Sequence, residues 1–183
     1  MRVIAGRYGG RRLQAPRGRT TRPTSDRVRE ALFSTLGDIT DATVLDLFAG
    51  TGALGIEALS RGATVALFVE RDAAALRALR ANLAALGLHE PQAMVLPTNA
   101  ARALDTARER GETYDLLFVD PPYGQAQAWE RELAVALPPL LAPGGRLIVE
   151  SDRRMPLALQ TPHTWQEQQR RYGDTIVTIH RHQ

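Results

Sequence analysis

The sequence of 183 residues contains no cysteine and no lysine. The absence of cysteine excludes disulfide bonds and metal sites built on thiolates. Aromatic residues make up only 5% of the chain, and no apolar run is long enough for a membrane-spanning helix. Met1 is followed directly by Arg2, without the apolar stretch of a secretory leader. We therefore expect a cytoplasmic protein with no membrane partner.

The positive charge is concentrated at the start of the chain. Residues 1–30 hold nine arginines against two acidic residues, a net charge of +7, whereas the remainder holds 14 arginines against 18 acidic residues, a net charge of −4. The use of arginine alone suggests a compositional bias of the genome, but that bias does not explain the clustering. A basic arm on a mildly acidic body favours a polyanionic partner such as nucleic acid.

Strand-like and helix-like segments alternate from residue 43 onward, which predicts a parallel sheet covered on both faces. The predicted strands are 43–48, 65–70, 93–98, 114–120 and 146–150. The predicted helices are 53–61, 72–86, 99–110 and 127–141. Two further strand-like runs, 165–171 and 174–181, have no helix between them, so we expect an antiparallel pair at one edge of the sheet.

The N-terminal region has a different pattern. Residues 2–6 and 11–16 flank a glycine turn and predict a short hairpin. Ser25 is a candidate cap for a helix over 26–36, which Gly37 would end. His180 and His182, near the other terminus, are expected to be solvated and lack the partners that a metal site needs.

A short motif, Asp120-Pro121-Pro122-Tyr123, follows the apolar run 114–119. In open α/β sheets, ligands bind at the carboxyl ends of such strands. The motif offers a carboxylate and carbonyl oxygens but few donors, because proline has no N–H. It therefore predicts a site for a planar group that carries an amine, such as a nucleobase. The alternative is a rigid turn without a ligand.

A glycine-rich segment, Asp46 to Gly55, joins the first strand of the alternating region to a helix. Its glycines fit G-x-G-x-x-G, and Glu70 lies 20 residues after Gly50, which is also the pattern of nicotinamide-dinucleotide sites. Glycines here let a ligand approach the backbone near a helix N-terminus. The glycine spacing alone does not identify the ligand.

Three features favour S-adenosylmethionine over a dinucleotide. Asp46 would repel a pyrophosphate but could accept from an ammonium group, and Glu70 is placed to accept from ribose hydroxyls. The Asp-Pro-Pro-Tyr motif has no place in hydride transfer. Asn99 follows the third strand and could meet the adenine amine. The structural alternatives are a turn cap for Asp46, a solvated strand end for Glu70 and a helix N-cap for Asn99.

Together these motifs resemble the RsmD family of small-subunit ribosomal RNA guanine-N2 methyltransferases, over nearly the whole chain. The matching segments are Val3 to Leu13, Arg22 to Phe33, Asp46 to Gly55, Glu70, and Asp120 to Tyr123. The segment from Arg22 to Phe33 is the most specific to that family. Positions that are often lysine in the family are arginine here, which keeps the charge but changes the geometry of each contact.

The resemblance implies a Rossmann-like class I methyltransferase fold of the α/β class. We expect a mainly parallel seven-stranded sheet with an antiparallel C-terminal edge pair, a short N-terminal hairpin and a helix. Residues 1–183 would form one methyltransferase domain, with residues 1–40 as a basic extension and 41–183 as the catalytic core. The implied partner is small-subunit ribosomal RNA, with guanine 966 as the target, on an assembled or assembling 30S particle. We expect a monomer that holds no metal.

The predicted site has three groups of residues. The catalytic group is Asp120, Pro121, Pro122 and Tyr123. The cofactor group, for S-adenosylmethionine, is Asp46, Phe48, Ala49, Gly50, Thr51, Gly52, Glu70, Arg71, Asn99, Ala100 and Asp120. The RNA-binding group is Arg7, Arg11, Arg12, Arg22, Arg27 and Arg29, although arginines in the arm and first helix could instead pair within the helix.

We interpret Asp120 as an acceptor that orients the guanine amine rather than as a strong general base. Asp120 and the Pro121 carbonyl would accept its two N–H groups and turn its lone pair toward the methyl group. Tyr123 would stack on the base, or pack within the protein. The guanine must be extruded or already unpaired to reach this motif.

Other functions remain open at this level. One is an amino-methyltransferase acting on another RNA, on DNA adenine or on a protein glutamine. Those families typically carry asparagine where this chain has Asp120, or add a recognition domain. A different class is a non-catalytic RNA-binding assembly factor, which would not need Asp120. A nucleotide-dependent oxidoreductase is a third.

Overall fold

A seven-stranded sheet organises the chain, with strand order β3-β2-β1-β4-β5-β7-β6. The computed structural model describes residues 1–16, 25–122, 126–160, 162 and 165–182. The strands are β1 (Thr43–Asp46), β2 (Val65–Val69), β3 (Ala93–Leu96), β4 (Tyr114–Val119), β5 (Leu141–Asp152), β6 (Gln166–Tyr172) and β7 (Thr175–Arg181). The helices are α1 (Asp26–Leu36), α2 (Ala53–Ser60), α3 (Ala73–Leu86), α4 (Ala100–Glu109) and α5 (Ala126–Ala136).

The strand directions confirm the predicted fold class. β1 to β5 pair in parallel, β7 is antiparallel to β5, and β6 is antiparallel to β7 at the edge. Parallel strands need a crossover, and here each crossover is one of the predicted helices. No helix in the described part of the chain is long and apolar enough to cross a membrane.

Alternate residues of the buried strands feed two apolar cores, one on each face of the sheet. Val44, Leu116 and Ile148 pack on the face that carries α1, α2 and α3. Their neighbours Leu45 and Leu117 pack on the other face with α4 and α5. Continuing this alternation to the carboxyl ends of the strands decides which side chains can meet there.

Side-chain caps fix where three helices begin. Ser25 accepts from the Val28 N–H at the start of α1, as predicted. Asp72 accepts from the backbone at the start of α3, which ends at Gly87 in the left-handed conformation. Asn99 caps α4 by accepting from the Arg102 N–H. Each cap satisfies donors that the first turn leaves unpaired.

The N-terminal segment forms the predicted hairpin in a short form, closed by hydrogen bonds between its two arms. A single antiparallel bridge joins Arg2 to Arg12, with Val3 donating to the Arg11 carbonyl and Gly10 to the Val3 carbonyl. The N–H groups of Ile4, Ala5, Arg7 and Tyr8 bind Glu57 and Ser60 of α2 instead, so the strand ladder does not extend. We refer to residues 1–16 as the N-terminal loop.

Two predictions at the C-terminal end were wrong. The helix predicted over 127–141 ends at Ala136, a 3₁₀ turn occupies Pro138–Leu140, and β5 begins at Leu141. The two prolines cannot continue an α-helix, because each lacks an N–H donor. His180 is not solvated: it is only 2% exposed, because β7 lies between β5 and β6. His182 is partly buried, and its ring lies 5.4 Å from that of Trp165.

Candidate active site

The candidate site lies at the carboxyl ends of β1 and β4. These strands are adjacent, but the chain leads from β1 to β2 and β3 on one side and from β4 to β5 on the other. Such a switch point opens a crevice outside the sheet. Asp46 pairs with Phe118 in the ladder, so Asp120, directly after β4, lies two residues farther along the chain and on the same face. The structure thus brings together two predicted carboxylates that are distant in sequence.

The glycine loop turns sharply between β1 and α2. Gly50 and Gly52 have φ angles of +56° and +81°, which favour glycine. A Cβ on Gly52 would lie 2.4 Å from Leu79 Cδ1, and a Cβ on Gly55 would lie 2.3 Å from Phe68 Cε1. Among the described residues, a Cβ on Gly50 would meet only the Phe48 carbonyl oxygen, at 4.0 Å. Two glycines therefore allow close packing of α2, whereas Gly50 leaves space open beside the loop.

Glu70, directly after β2, holds the glycine loop. Its Oε2 accepts from the Gly50 N–H at 2.9 Å, and its Oε1 accepts from the Arg71 and Asp72 N–H groups at 2.7 Å each. The side chain is partly exposed. Glu70 is therefore fixed at the edge of the crevice rather than being a freely solvated strand end.

Asp46 is almost completely buried beneath the loop. Its Oδ2 accepts from the Gly55 N–H in the first turn of α2, at 3.0 Å. Burial raises the pKa of Asp46 to about 7; the bond from Gly55 opposes this shift, and the charge of Glu70 adds to it. The side chain therefore serves as the turn cap that was one of its two predicted roles. A nearby positive charge would stabilise its ionised form.

Asp120 is the first residue after β4 and is partly buried. Burial raises the pKa of Asp120 well above the usual aspartate value, and the charges of Glu150 and then Asp46 raise it further. Pro121 is buried and Pro122 is exposed. This carboxyl thus lies at the end of a rigid strand, in surroundings that favour uptake of a proton.

The other predicted cofactor residues lie in the glycine loop itself or shortly after β2 and β3. Ala49 is buried, and its N–H donates to the Val69 carbonyl. The Phe48 ring packs edge-on against Trp129 of α5, with 5.5 Å between ring centroids. Arg71 is exposed, and Ala100 is buried at the start of α4 behind the Asn99 cap.

Thr51 shows a polar contact that the sequence analysis missed. Its carbonyl accepts from the side chain of Asn82, which also exchanges hydrogen bonds with the backbone of Gln14. Asn82 is 2% exposed and lies in the middle of α3. The sequence signal for this contact was an asparagine among the apolar residues of the buried helix face. Asn82 joins the N-terminal loop to the glycine loop.

The predicted RNA-binding arginines divide into two groups. Arg7, Arg11, Arg12 and Arg27 are exposed, and Arg11 also donates to the Ala85 carbonyl of α3. Arg29 is fully buried, so its prediction as an RNA contact was wrong. Arg22 and Tyr123 lie outside the described residues.

Arg29 is instead the centre of a buried polar group that fastens the N-terminal loop. It donates to Asp26 at 3.0 Å and to the Arg2 carbonyl, and its Nε lies 4.0 Å from Glu57. Glu57 accepts from the Ile4 and Ala5 N–H groups. The sequence of α1 did not indicate that Arg29 is buried, because its acidic neighbour Glu57 belongs to α2.

The strand order and the loop geometry define the class of protein. A sheet of this order, with a glycine loop after β1, a carboxylate after β2 and Asp-Pro-Pro after β4, is that of class I S-adenosylmethionine-dependent methyltransferases. The chain belongs to the family described as conserved hypothetical protein 95, whose model matches residues 1–181. This family is the RsmD family that the sequence motifs predicted.

Curated relatives extend over different parts of the chain. YlbH of Bacillus subtilis (strain 168) is 38% identical over 182 residues, covering 99% of this chain and 98% of that protein. Ribosomal RNA small subunit methyltransferase D of Escherichia coli (strain K12) is 45% identical over 124 residues, covering 67% of this chain and 60% of that protein.

Solved structures share the fold. That of yhhF from Escherichia coli superposes with a TM-score of 0.84 at 33% identity, covering 100% of this chain and 98% of that one. The Thermus thermophilus 16S rRNA N2 G1207 methyltransferase RsmC, solved with AdoMet and guanosine, gives a TM-score of 0.67 at 27% identity. That match covers 91% of this chain and 44% of RsmC.

Proposed function

We propose that the protein transfers a methyl group from S-adenosylmethionine to the N2 amine of a guanine in small-subunit ribosomal RNA. The observation that carries this proposal is the position of Asp120 and Pro121, directly after β4 and beside the glycine loop that follows β1. A set of amine acceptors and a cofactor loop therefore share one edge of the sheet. The substrates named for the methyltransferase D relative and for RsmC support the same assignment.

The residues around the loop suit this cofactor. Asp46 would accept from its ammonium group, directly or through water, and that charge would offset the burial that raises the Asp46 pKa. Glu70 would accept from the ribose hydroxyls while it keeps its bond to Gly50, since a carboxylate has about four acceptor positions. The open space at Gly50 lets a ligand approach the backbone. When bound, the cofactor supplies a methyl group on a positively charged sulfur.

Asp120 and the Pro121 carbonyl would hold the guanine amine. Its lone pair is delocalised into the ring, and accepting both N–H groups would turn that lone pair out of conjugation. The raised pKa of Asp120 extends the role predicted from sequence, because this carboxylate can also take up the proton that the amine loses. Most of the acceleration would come from alignment, which can contribute about 7–11 kcal/mol. Tyr123 would stack on the extruded base, a contact worth about 1–3 kcal/mol.

The N-terminal loop and α1 would hold the RNA backbone. Arg7, Arg11, Arg12 and Arg27 are exposed donors for phosphate oxygens, and Arg22 belongs to the same basic segment. By family resemblance the target is guanine 966, on an assembled or assembling 30S particle. With a ribosomal substrate, we expect the protein to act in the cytoplasm, as a monomer.

Transfer of a radiolabelled methyl group tests this function. Labelled S-adenosylmethionine is offered with unmethylated 30S subunits, naked small-subunit RNA, DNA and a mixed protein fraction, and the labelled nucleoside is then identified. We expect label in N2-methylguanosine of the subunits or the RNA. Label in adenine, in protein glutamine or in none of the four substrates would contradict the proposal. A comparison of subunits with naked RNA distinguishes the two forms of the substrate.

A further inference from the structure

A second acid lies beside Asp120 on the neighbouring strand. Val119 of β4 pairs with Val149 of β5, so Asp120 and Glu150 are the next two neighbours along that parallel ladder. Neighbouring strands lie about 4.8 Å apart, and residues two apart share a face. Glu150 therefore extends toward the same side of the sheet as Ile148 and Asp120, and its side chain is only 4% exposed.

The electrostatics agree with this placement. After burial, the charge of Glu150 makes the largest contribution to the raised pKa of Asp120, larger than that of Asp46. The Arg29 guanidinium, across the core in α1, is also close enough for its charge to attract Glu150. Glu150 thus lies at the inner wall of the site, whereas the proposed chemistry so far requires only Asp120 and the Pro121 carbonyl.

We propose that Glu150 recognises guanine by accepting the N1–H that lies next to the N2 amine on the base. This role rests on the proposed guanine-N2 activity. Once Asp120 and Pro121 hold the two N–H groups of the amine, the adjacent N1–H still needs an acceptor, because an unpaired donor in a closed site is costly. Glu150 is the next acceptor along the ladder.

The same side chain would reject adenine. Adenine carries a bare lone pair at N1, which a carboxylate repels, so the wrong base meets an unfavourable contact in addition to the loss of a favourable one. A carboxylate has about four acceptor positions, so a contact that Glu150 makes within the protein does not prevent it from accepting N1–H. Glu150 is then a specificity-determining residue.

A base substitution at the methylated position tests this role. Small-subunit RNA is assembled by ligation with either guanine or 2-aminopurine there; 2-aminopurine keeps the N2 amine but has no N1–H. We expect the wild-type protein to methylate guanine about 10- to 100-fold faster, the range for a hydrogen bond to a charged group. Glu150→Gln should narrow this preference about tenfold, because its neutral amide accepts more weakly and can also donate to a bare N1.

Two further variants separate recognition from folding. Glu57→Gln neutralises another fully buried carboxylate near Arg29, and it should keep the preference for guanine even where it lowers both rates. Glu150→Asp retains the charge but shortens the side chain, so its rate should fall on guanine and not on 2-aminopurine. If thermal unfolding shows that Glu150→Gln is unfolded, Glu150→Asp takes its place in the test.

The outcomes distinguish the two proposals. Equal loss on both bases in the Glu150 variants would overturn the role of Glu150 and leave the methyltransferase assignment intact. Absence of label in guanine with the wild-type protein would overturn the proposed function itself, and the role of Glu150 with it.

Discussion

At the scale of single residues, the site is a concentration of acids whose charges are costly to bury. Asp46, Asp120 and Glu150 lie on one face at the ends of neighbouring strands, and Glu70 borders them. Backbone N–H groups hold Asp46 and Glu70, which fixes their positions without neutralising them. The resulting negative potential favours a positively charged ligand. S-adenosylmethionine carries that charge, and its demethylated product has a neutral sulfur, so the site favours exchange of product for cofactor.

Replacing Asp120 should separate cofactor binding from methyl transfer. Asp120→Ala removes an acceptor for the amine and for its proton, and we expect the rate to fall about 10²- to 10⁴-fold. Calorimetry should still detect binding of S-adenosylhomocysteine. In the wild-type protein, the rate should rise with pH through the raised pKa of Asp120, since only the carboxylate can accept a proton. Full activity in Asp120→Ala, or an acid limb that this variant retains, would refute the role.

Asp46 makes stability depend on pH in a direction opposite to that of a salt-bridged acid. Its pKa is about 7 in the folded protein, so between about pH 4 and pH 7 the folded state holds a proton that the unfolded chain has released. The free energy of unfolding therefore falls as pH rises through this window, by on the order of 2–4 kcal/mol. The asparagine side chain does not titrate, so in Asp46→Asn the free energy of unfolding should fall less than in the wild-type protein as the pH rises. Denaturant unfolding of both proteins at pH 4.5 and pH 8 measures this effect. A difference in unfolding free energy between them that stays the same at both pH values would contradict the prediction.

The sequence was informative for residues whose neighbours are set by strand ends. Asp46 ends β1, and Glu70 and Asp120 directly follow β2 and β4, so the rule that ligands bind at carboxyl ends was enough to group them. Arg29 and Glu150 needed three-dimensional information. Arg29 lies in the core beside Glu57 of another helix. Glu150 lies next to Asp120 only because β5 pairs with β4 in the observed register.

At the scale of secondary-structure elements, the glycine loop combines a packing requirement with an open approach. Gly52 and Gly55 admit Leu79 and Phe68 against the backbone, so α2 lies close to the sheet. Gly50 also has a positive φ, but no side chain in the described part of the chain lies as close to it. The G-x-G-x-x-G pattern predicted the turn and not this division, because packing partners come from β2 and α3.

Gly50→Ala should impair cofactor binding beyond its cost in backbone strain. Gly111 is a matched control, because its φ of +61° is close to the +56° of Gly50 and its Cβ position is also open, after α4. Both alanine variants should lose about 1 kcal/mol of unfolding free energy. Only Gly50→Ala should weaken binding of S-adenosylhomocysteine, by tenfold or more, because its methyl group occupies the open space. Equal affinity in the two variants would exclude a ligand next to Gly50.

The ends of the strands and helices were predicted less accurately than their positions in the chain. Short apolar runs placed β1 to β4 within about two residues. The end of α5 was predicted too late because residues 133–141 are all apolar or proline, without a polar residue to mark the end of the helix. The helix ends before Pro138 and Pro139, and β5 begins directly after the 3₁₀ turn. The hairpin predicted in the N-terminal loop is limited to one bridge, because the N–H groups of Ile4 and Ala5 bind Glu57 instead of a partner strand.

At the scale of the whole molecule, buried polar contacts join the N-terminal loop to the helices beside the proposed site. Glu57 and Ser60 of α2 bind the backbone of the N-terminal loop, and Asn82 of α3 binds its far end. α2 begins at the glycine loop, so the surface proposed for RNA and the proposed cofactor site share one rigid helix. An extruded base and the methyl group must be aligned closely, and this attachment serves that requirement.

Arg29 should therefore contribute to stability and not to phosphate binding. Arg29→Met leaves Glu57 buried with one cationic partner fewer, and we expect a loss of about 3 kcal/mol in the free energy of unfolding. The loss is moderated because Arg29 Nε and Nη1 have no hydrogen-bond partner among the described residues, and because Arg61 still pairs with Glu57 at 2.7 Å. Arg27→Met, on the exposed side of the same helix, should change stability by less than about 0.5 kcal/mol. Similar losses in both variants would contradict the buried network.

The exposed arginines of the N-terminal loop should instead control how salt affects RNA binding. Replacing Arg7, Arg11 and Arg12 by glutamine removes up to three phosphate contacts, so the slope of log K against log salt should become shallower by about 2–3. Arg170→Gln with Arg171→Gln is the control: both residues are exposed on β6, at the opposite edge of the sheet from β3, and should leave the slope unchanged. Fluorescence anisotropy with small-subunit RNA between 50 and 200 mM salt, roughly the range over which such contacts lose affinity, measures both slopes. An equal change in the two variants would show that net charge alone matters, and an unchanged slope in the triple variant would move the RNA surface away from the N-terminal loop.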